Sequence, residues 1–321
     1  MKIALASRPL SESYMRLARQ LGVTDIVSTL SKEQRGPVWE ILPLLRLRKK
    51  VEDAGLTLSV IESFPLSDRI KLGLPGREQD LDNFCRSIRN MGAAGIPILC
   101  YNFMAVFNWL RTSTTTRSRG DALVTSYDHA LLEKAPLTHA GVVTDEQMWD
   151  NFEYFLRRVV PVAEDAGVKL ALHPDDPPIS PIRGLARIMR SVDAFKRVIE
   201  MLPSDCNGVT FCQGCFAEME GVDVPAAIRY FGERKKIFFV HFRNVRGSVP
   251  LVEEAFHDDG DVDMVAAMRA YREVGFDGPM RPDHVPTLEG ESNDTPGYML
   301  LGRLHAVGYM KGLIDAIDSQ A

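Results

Sequence analysis

The chain has 321 residues, 45% of them hydrophobic and 25% charged, and carries a formal net charge of −5. This is the composition of a globular protein with a large core, and the acidic balance lacks the basic surface that nucleic-acid binding requires. No apolar run approaches the roughly 18 residues of a membrane-spanning helix, and the N-terminus lacks a signal-peptide pattern, so we expect a cytoplasmic protein with no membrane or nucleic-acid partner.

Short apolar runs alternate with longer amphipathic stretches along the whole chain. The runs predict eight strands, at residues 3–7, 25–29, 57–63, 97–103, 169–175, 208–214, 236–244 and 278–284. Phrases such as "AEDAGVKLAL" and "YREVGFDGPM" repeat one order: a helix, a glycine that ends it, a short turn and a buried strand. Eight such units predict an α/β fold of the (β/α)8 TIM-barrel class, as a single domain over residues 1–321, with a doubly wound open sheet as the alternative.

One segment interrupts this alternation. Residues 104–144 follow the fourth strand with weak periodicity and many Ser, Thr and Gly residues. Loops of this length in a compact domain usually cover or bind a ligand. We therefore expect a long loop insertion here that closes over a substrate.

Polar side chains collect at the ends of the last four strands. In a barrel the C-terminal strand ends form one face, where the active site is built. This places the following residues around one rim: His173 at the end of the fifth strand, Cys212 at the end of the sixth, His241, Arg243 and Asn244 at the end of the seventh, and Arg281, Asp283 and His284 at the end of the eighth.

Two imidazoles, a thiol and a carboxylate form a set that suits a divalent transition metal. Each of these side chains alone is more often structural, but four successive strand ends favour a metal site at His173, Cys212, His241 and Asp283. Ligands spread over separate strands are typical of a catalytic site rather than of a structural zinc site, which uses close-set pairs. The five cysteines are an odd number, which argues against a disulfide framework and leaves thiols available as ligands.

Arg243 has a planar guanidinium that suits a substrate carboxylate, although a salt bridge at the rim is an equal alternative. The chain has no G-x-G-x-x-G motif after the first strand, no Walker loop and no G-x-S-x-G elbow. The sequence therefore lacks the usual signatures of nucleotide cofactors and of serine hydrolysis.

A series of motifs resembles the mannonate dehydratase family, in order, from residue 23 onward: "VIESFPLSDRIKLGLPGR", "CYNFMAVFNWLRT", "LHPDDPP", "FCQG", "VHFRNVRG", "FHDDGDVDM" and "RPDH" followed by "PGY". The resemblance implies a (β/α)8 barrel that uses a divalent metal, Mn2+ or Fe2+. It also implies a lyase of hexuronate degradation that converts D-mannonate to 2-dehydro-3-deoxy-D-gluconate and water.

Carried over to this sequence, the family's metal ligands fall on His173, Cys212, His241 and Asp283, the four residues that the strand ends select. Its acid/base pair falls on His284 and Tyr298, with the direction of proton transfer left open. The substrate contacts expected from the motifs and the rim are Arg243, Asn244, Arg281 and Asn102.

The sequence departs from the family pattern on the substrate side. Many members begin with an Arg-Trp-Tyr-Gly stretch, where this chain has "KIALASRP", and the stretch after His284 also differs. The alternatives are a metal-dependent isomerase or epimerase, a phosphodiester hydrolase, which would need more carboxylates and a basic groove, and a non-catalytic protein that binds sugar acids. The expected partner is a sugar acid, and assembly into a homo-oligomer is left open.

Overall fold

The computed structural model describes residues 1–7 and 10–319, and over these residues a closed barrel of parallel strands forms the centre of the fold. The barrel strands are Lys2–Ala6 (β1), Asp25–Ser28 (β2), Thr57–Glu62 (β3), Ile98–Tyr101 (β4), Lys169–Leu172 (β7), Asn207–Cys212 (β8), Ile237–Phe242 (β9) and Pro279–Pro282 (β12). They follow one another around the barrel and close it by pairing β1 with β12. The predicted (β/α)8 barrel is confirmed, and closure excludes the open sheet.

The strands lie where the apolar runs predict them, but most end earlier than the sequence indicates. The last strand ends at Pro282 rather than at residue 284, and β7 ends at Leu172 rather than at residue 175. Beyond these points the chain turns into loops after one last backbone hydrogen bond to the neighbouring strand, from His173 to Tyr101 and from Asp283 to Phe242. The polar residues that follow are therefore free of strict strand alternation.

Ten α-helices occupy the described residues, most of them packed around the barrel. They are Glu12–Gln20 (α1), Ile41–Asp53 (α2), Asp68–Lys71 (α3), Arg77–Ala93 (α4), Asp145–Ala166 (α5), Val192–Met201 (α6), Gln213–Glu218 (α7), Val224–Glu233 (α8), Met264–Glu273 (α9) and Leu300–Asp318 (α10). In α5 the side chains of Thr144 and Gln147 form a reciprocal capping box, and Gly167 ends the helix in the left-handed conformation. These local signals explain why the helix starts and stops where it does.

The segment 104–144, predicted as a long loop, contains two strands, Ser113–Arg117 (β5) and Leu123–Asp128 (β6). They join a second, antiparallel sheet with Val245–Arg246 (β10) and Leu251–Glu254 (β11). The central pairing, β6 with β11, joins positions more than a hundred residues apart in sequence. Such a partner is not readable from local periodicity, which is why the segment looks irregular in the sequence.

Two hydrophobic layers hold the barrel. One lies inside it, where Val27, Val60, Ala171 and Phe239 are among the buried residues that pack together. The other lies between the strands and the surrounding helices, with Phe152 and Phe155 of α5 fully buried. None of the helices in the described part of the chain has both the length and the apolar character needed to cross a bilayer.

Candidate active site

A cavity of about 1070 Å³ opens at the C-terminal ends of the barrel strands. Its wall includes Glu62 from β3, Tyr101 from β4, His173 after β7, His241 in β9 and Asp283 after β12. Because the strands are parallel, their C-terminal ends meet on this face. The cavity is thus bounded by side chains that are far apart in sequence.

Of the four predicted metal ligands, His173, His241 and Asp283 line this cavity, and Cys212 is buried close to Asp283. His173 Nε2 is 3.2 Å from His241 Nδ1, and His241 Nδ1 is 3.4 Å from Asp283 Oδ2. Cys212 Sγ is 4.0 Å from the same carboxylate oxygen. His173, Cys212 and His241 each place a possible ligand atom within 4.8 Å of the others, and an Asp283 oxygen lies beside them, a donor set that fits a divalent transition metal.

Both imidazoles are held with one nitrogen aimed at this donor set. His173 Nδ1 lies 2.7 Å from the carbonyl oxygen of Pro174, to which it donates, and Nε2 faces the cluster, 3.2 Å from His241 Nδ1. His241 Nε2 lies 2.8 Å from Glu62 Oε1 and directs Nδ1 inward. A ligand histidine commonly gives its second nitrogen to a carbonyl or a carboxylate in this way.

The surroundings of Cys212 favour its deprotonated, thiolate form. Burial raises the pKa of a thiol, but the hydrogen bond with Cys215 and the charge of Arg243 lower the Cys212 pKa well below its usual value. Arg243 Nη1 lies 3.5 Å from Cys212 Sγ and 3.7 Å from Cys215 Sγ. The thiolate is the form of cysteine that binds metals.

Asp283 and His241 share one electrostatic environment. Burial would raise the pKa of Asp283, yet the charges of Arg281, His284 and His241 lower it well below its usual value. Burial and Arg281 act to lower the pKa of His241, whereas Asp283 and Glu62 raise it to about 10 without a metal. The cluster is therefore a strong site for positive charge, which a proton or a metal ion can supply.

His284 and Tyr298 form a pair on the cavity wall beside this cluster. His284 Nε2 is 2.8 Å from the Tyr298 hydroxyl. Burial raises the pKa of Tyr298 well above its usual value, which keeps the phenol protonated. The backbone of His284 has a φ of 40°, a left-handed conformation that is uncommon outside glycine. This turn lets the adjacent side chains of Asp283 and His284 both line the cavity.

Two of the expected substrate contacts do not reach the cavity. Arg243 is fully buried, and ion pairs with Asp176, Glu218 and Glu254 surround its guanidinium. The Asn244 amide donates to the carbonyl oxygens of residues 257 and 262, and its oxygen accepts two backbone N–H groups. Both predicted substrate contacts are thus engaged by buried partners, and neither is among the residues that line the cavity.

The other two expected contacts line the cavity. Arg281 does so while its guanidinium pairs with Glu62 and with Asp283. Asn102 lines the opposite side, where its oxygen accepts the Met104 N–H. Lys71, which the sequence did not single out, also lines the cavity, and burial lowers its pKa to about 8.

Arg243 belongs to a group of charged residues behind His284, most of which the sequence did not single out. We call Arg111, Asp176, Glu218, Arg243 and Glu254 the buried ion network; every one of these side chains is at most 4% exposed. Arg111 comes from segment 104–144 and pairs with Asp176 and Glu254. Glu62 could have been identified from the sequence, because it ends a barrel strand. Arg111 and Glu254 lie outside the barrel strands, so the position of strand ends could not identify them.

The family model described as D-mannonate dehydratase (UxuA) matches residues 7–140 and 134–321 of the chain. Mannonate dehydratase 2 of Halalkalibacterium halodurans is 36% identical over 325 residues, which cover 93% of each chain. The crystal structure of mannonate dehydratase from Streptococcus suis serotype 2 superposes with a TM-score of 0.92 at 35% identity, covering 98% of this chain and 93% of that one.

A more distant likeness concerns the fold alone. The D-psicose 3-epimerase of Clostridium cellulolyticum H10 has a TM-score of 0.63 at 13% identity and covers 98% of this chain. At this level of identity the similarity shows a common barrel and carries no statement about chemistry.

Proposed function

Because the chain belongs to the D-mannonate dehydratase family, we infer that it is a hydro-lyase that converts D-mannonate to 2-dehydro-3-deoxy-D-gluconate and water. The observation that carries this function is the convergence of His173, Cys212, His241 and Asp283 beside the His284–Tyr298 pair. A metal-binding site next to a proton-transferring pair is what the elimination of water from a sugar acid requires.

We propose that those four residues hold a divalent metal, Mn2+ or Fe2+. The mixed nitrogen, sulfur and oxygen donors support a transition metal over Mg2+ or Ca2+, which prefer oxygen ligands alone. When bound, such a metal acts as a Lewis acid that stabilises the negative charge developing on the substrate carboxylate. Arg281 adds a positive charge against Asp283 and keeps this carboxylate ionised for the metal.

His284 and Tyr298 carry out the proton transfers. The C2–H bond of D-mannonate breaks and its proton goes to a base, the electron pair forms a C2–C3 double bond, and the C3 hydroxyl leaves with a proton from an acid. The resulting enol becomes the 2-keto acid. At 2.8 Å apart, the imidazole and the phenol supply one proton acceptor and one proton donor on the same wall of the cavity.

The substrate carboxylate and hydroxyls contact Arg281, Asn102 and Lys71. All three line the cavity, and the two cationic groups, Arg281 and Lys71, can pair with the substrate carboxylate. Arg243 and Asn244 take no part in binding, because their polar atoms are occupied below the cavity.

The test is an activity measurement on purified protein with Mn2+ and D-mannonate, in which a 2-keto-3-deoxy acid is detected colorimetrically. Formation of this acid, its loss on chelation and its return with Mn2+ are the expected results. An epimerase would instead give an isomeric sugar acid without loss of water. A protein that only binds sugar acids would give a calorimetric signal with D-mannonate and no product.

The roles within the site are separated by two substitutions. We expect Cys212→Ala to lose bound metal, measured by elemental analysis, because the sulfur ligand is gone. We expect His284→Ala to keep its metal and lose at least about 10³-fold in kcat, because a proton-transfer group is missing. Cys206→Ala is the matched control, since Cys206 precedes β8 and Cys212 ends it. Equal metal content in the two cysteine variants would contradict the assignment of Cys212 as a ligand.

A further inference from the structure

A carboxylate from outside the barrel reaches the imidazole of His284. Glu254 is the last residue of β11 and is 2% exposed. Its Oε1 lies 2.8 Å from His284 Nδ1, and on the other side of the ring Nε2 lies 2.8 Å from the Tyr298 hydroxyl. We propose that Glu254 is a positioning residue that fixes the proton of His284 on Nδ1 and so leaves Nε2 as the proton acceptor. This rests on the proposed role of His284 as a proton-transfer group.

The hydrogen-bond chemistry determines which ring nitrogen carries the proton. An ionised carboxylate only accepts hydrogen bonds, so a neutral imidazole 2.8 Å away must present its N–H to it. Arg111 Nη2 also lies near Nδ1, at 3.4 Å, but both of its N–H groups have nearer acceptors, Glu254 Oε1 at 2.6 Å and Asp176 Oδ2 at 3.2 Å. Nδ1 is therefore the donor, and Nε2 keeps a lone pair.

Glu254 is itself ionised and is held by its neighbours. Burial would raise its pKa, but the charges of Arg243 and Arg111 and the hydrogen bond with His284 lower it below its usual value. Arg243 Nε lies 3.0 Å from Oε2, and Arg111 holds Oε1. β11 is also paired with β6 on one side and with β10 on the other. Two guanidiniums and two strands thus hold the carboxylate in place.

The consequence lies on the cavity side of the ring. With Nδ1 as donor, the Tyr298 hydroxyl must donate its hydrogen to Nε2. His284 then enters the reaction as the base of the pair, and Tyr298 enters it as a protonated phenol. In the opposite tautomer Nε2 would carry the proton and could not accept one, even though the ring had not moved. A carboxylate that holds an imidazole in the productive tautomer is a known requirement of histidine bases.

The experiment compares wild-type protein with Glu254→Ala. Without the carboxylate, Arg111 is free to donate to Nδ1, and the proton moves to Nε2. We expect kcat for D-mannonate to fall by roughly 10²- to 10⁴-fold with KM changed by less than about threefold, the pattern of a lost transition-state interaction. Bound metal should stay at the wild-type level. Glu254→Asp keeps a carboxylate and should restore part of kcat.

The direct readout is the tautomer of His284. Long-range ¹H–¹⁵N NMR on zinc-loaded protein distinguishes a protonated from an unprotonated ring nitrogen, and the His284→Gln spectrum identifies the signal. The wild type should carry the proton on Nδ1, and Glu254→Ala should carry it on Nε2. Glu218→Gln is the matched control: Glu218 pairs with both arginines, and its contacts do not include His284. This variant should keep the wild-type tautomer.

The outcomes separate this inference from the proposed function. A proton on Nε2 in the wild type overturns the role of Glu254, whether or not D-mannonate is the substrate, and it remains decisive if Glu254→Ala does not fold. Loss of metal with unchanged kcat per bound metal in Glu254→Ala would also overturn it. If the wild type has the expected tautomer but forms no keto acid, the proposed function fails while the positioning by Glu254 stands.

Discussion

His257 is an imidazole that the fold buries without a charge. It is 1% exposed, and its Nε2 lies 2.7 Å from the carbonyl oxygen of Phe242, to which it donates. Nδ1 has no hydrogen-bond partner among the described residues. Burial lowers the pKa of His257 to about 4. The folded protein therefore keeps this ring neutral at pH values where a solvated histidine takes up a proton.

The pKa of His257 gives stability a defined pH dependence. In the unfolded chain the ring titrates near 6.5, so between pH 6.5 and about 4 the unfolded state binds a proton that the folded state does not. Acidification through this window should cost up to about 3 kcal/mol of unfolding free energy.

His257→Gln keeps a donor for Phe242 but cannot titrate. The stability advantage of the wild type over this variant should shrink from pH 7 to pH 4.5 in denaturant unfolding. His139→Gln, at an exposed position, should track the wild type at both pH values. A constant difference between wild type and His257→Gln would show that the ring is not held neutral.

The four proposed metal ligands could be selected from the sequence because of one rule. His173, Cys212, His241 and Asp283 follow successive parallel strands, and such ends meet on one face of a barrel. Arg243 follows the same rule but is fully buried, because Asp176, Glu218 and Glu254 surround it. All three partners lie outside the barrel strands, so the sequence alone could not distinguish a substrate contact from a salt bridge at this position.

At the scale of elements, the segment 104–144 is part of the site rather than only a cover. It leaves β4, places Trp109 and Arg111 near His284, and then forms the β5–β6 pair. The Trp109 ring lies 5.1 Å from the His284 ring and 6.4 Å from that of Tyr298, centroid to centroid. One face of the proton-transfer pair is therefore shielded from water by this segment.

Removing that shield should slow the reaction without affecting the metal. We expect Trp109→Ala to lower kcat/KM for D-mannonate by about tenfold or more, because water enters beside His284 and the ring loses its packing. Trp109→Phe should recover most of the rate. Leu131→Ala, at an exposed position of the same segment, should have wild-type kinetics. Full activity of Trp109→Ala with normal metal content would contradict this role.

The elements of the barrel could be predicted from periodicity and glycine stops, but the second sheet could not. β5 reads "STTTR", with no apolar alternation, and its residues are largely exposed. β6 is stabilised by β11, which is distant in the sequence. Strand formation in both depends on pairing that the local sequence does not encode.

At the scale of the whole molecule, the barrel interior supports the site from below. Phe239 of β9 is fully buried, packs edge-on against His241 with ring centroids 4.7 Å apart, and lies 5.9 Å from the Arg281 guanidinium carbon. The same ring joins the cluster that fills the barrel. The Phe239 side chain thus contributes both to the stability of the fold and to the placement of His241 and Arg281.

The expected cytoplasmic location and the assembly state stay predictions.

Truncating the Phe239 ring should destabilise the whole protein. We expect Phe239→Ala to reduce the unfolding free energy by about 3–5 kcal/mol, since the barrel cannot collapse into the space left. Thermal unfolding measures this loss, and Phe239→Leu should lose clearly less. Val142→Ala is the control, because Val142 is 68% exposed and should change stability by less than about 0.5 kcal/mol. Similar unfolding temperatures for Phe239→Ala and Val142→Ala would contradict this account.

The buried ion network also constrains how this sequence can change. Two guanidiniums, Arg111 and Arg243, face two ionised carboxylates, Asp176 and Glu254, and the four come from different segments. Any single replacement leaves one buried charge without its counter-charge, which is strongly unfavourable, whereas replacing an oppositely charged pair restores neutrality. The effects of mutations at these positions are therefore epistatic. A single change at one of these positions should therefore destabilise the protein more than a paired change that removes both charges of one ion pair.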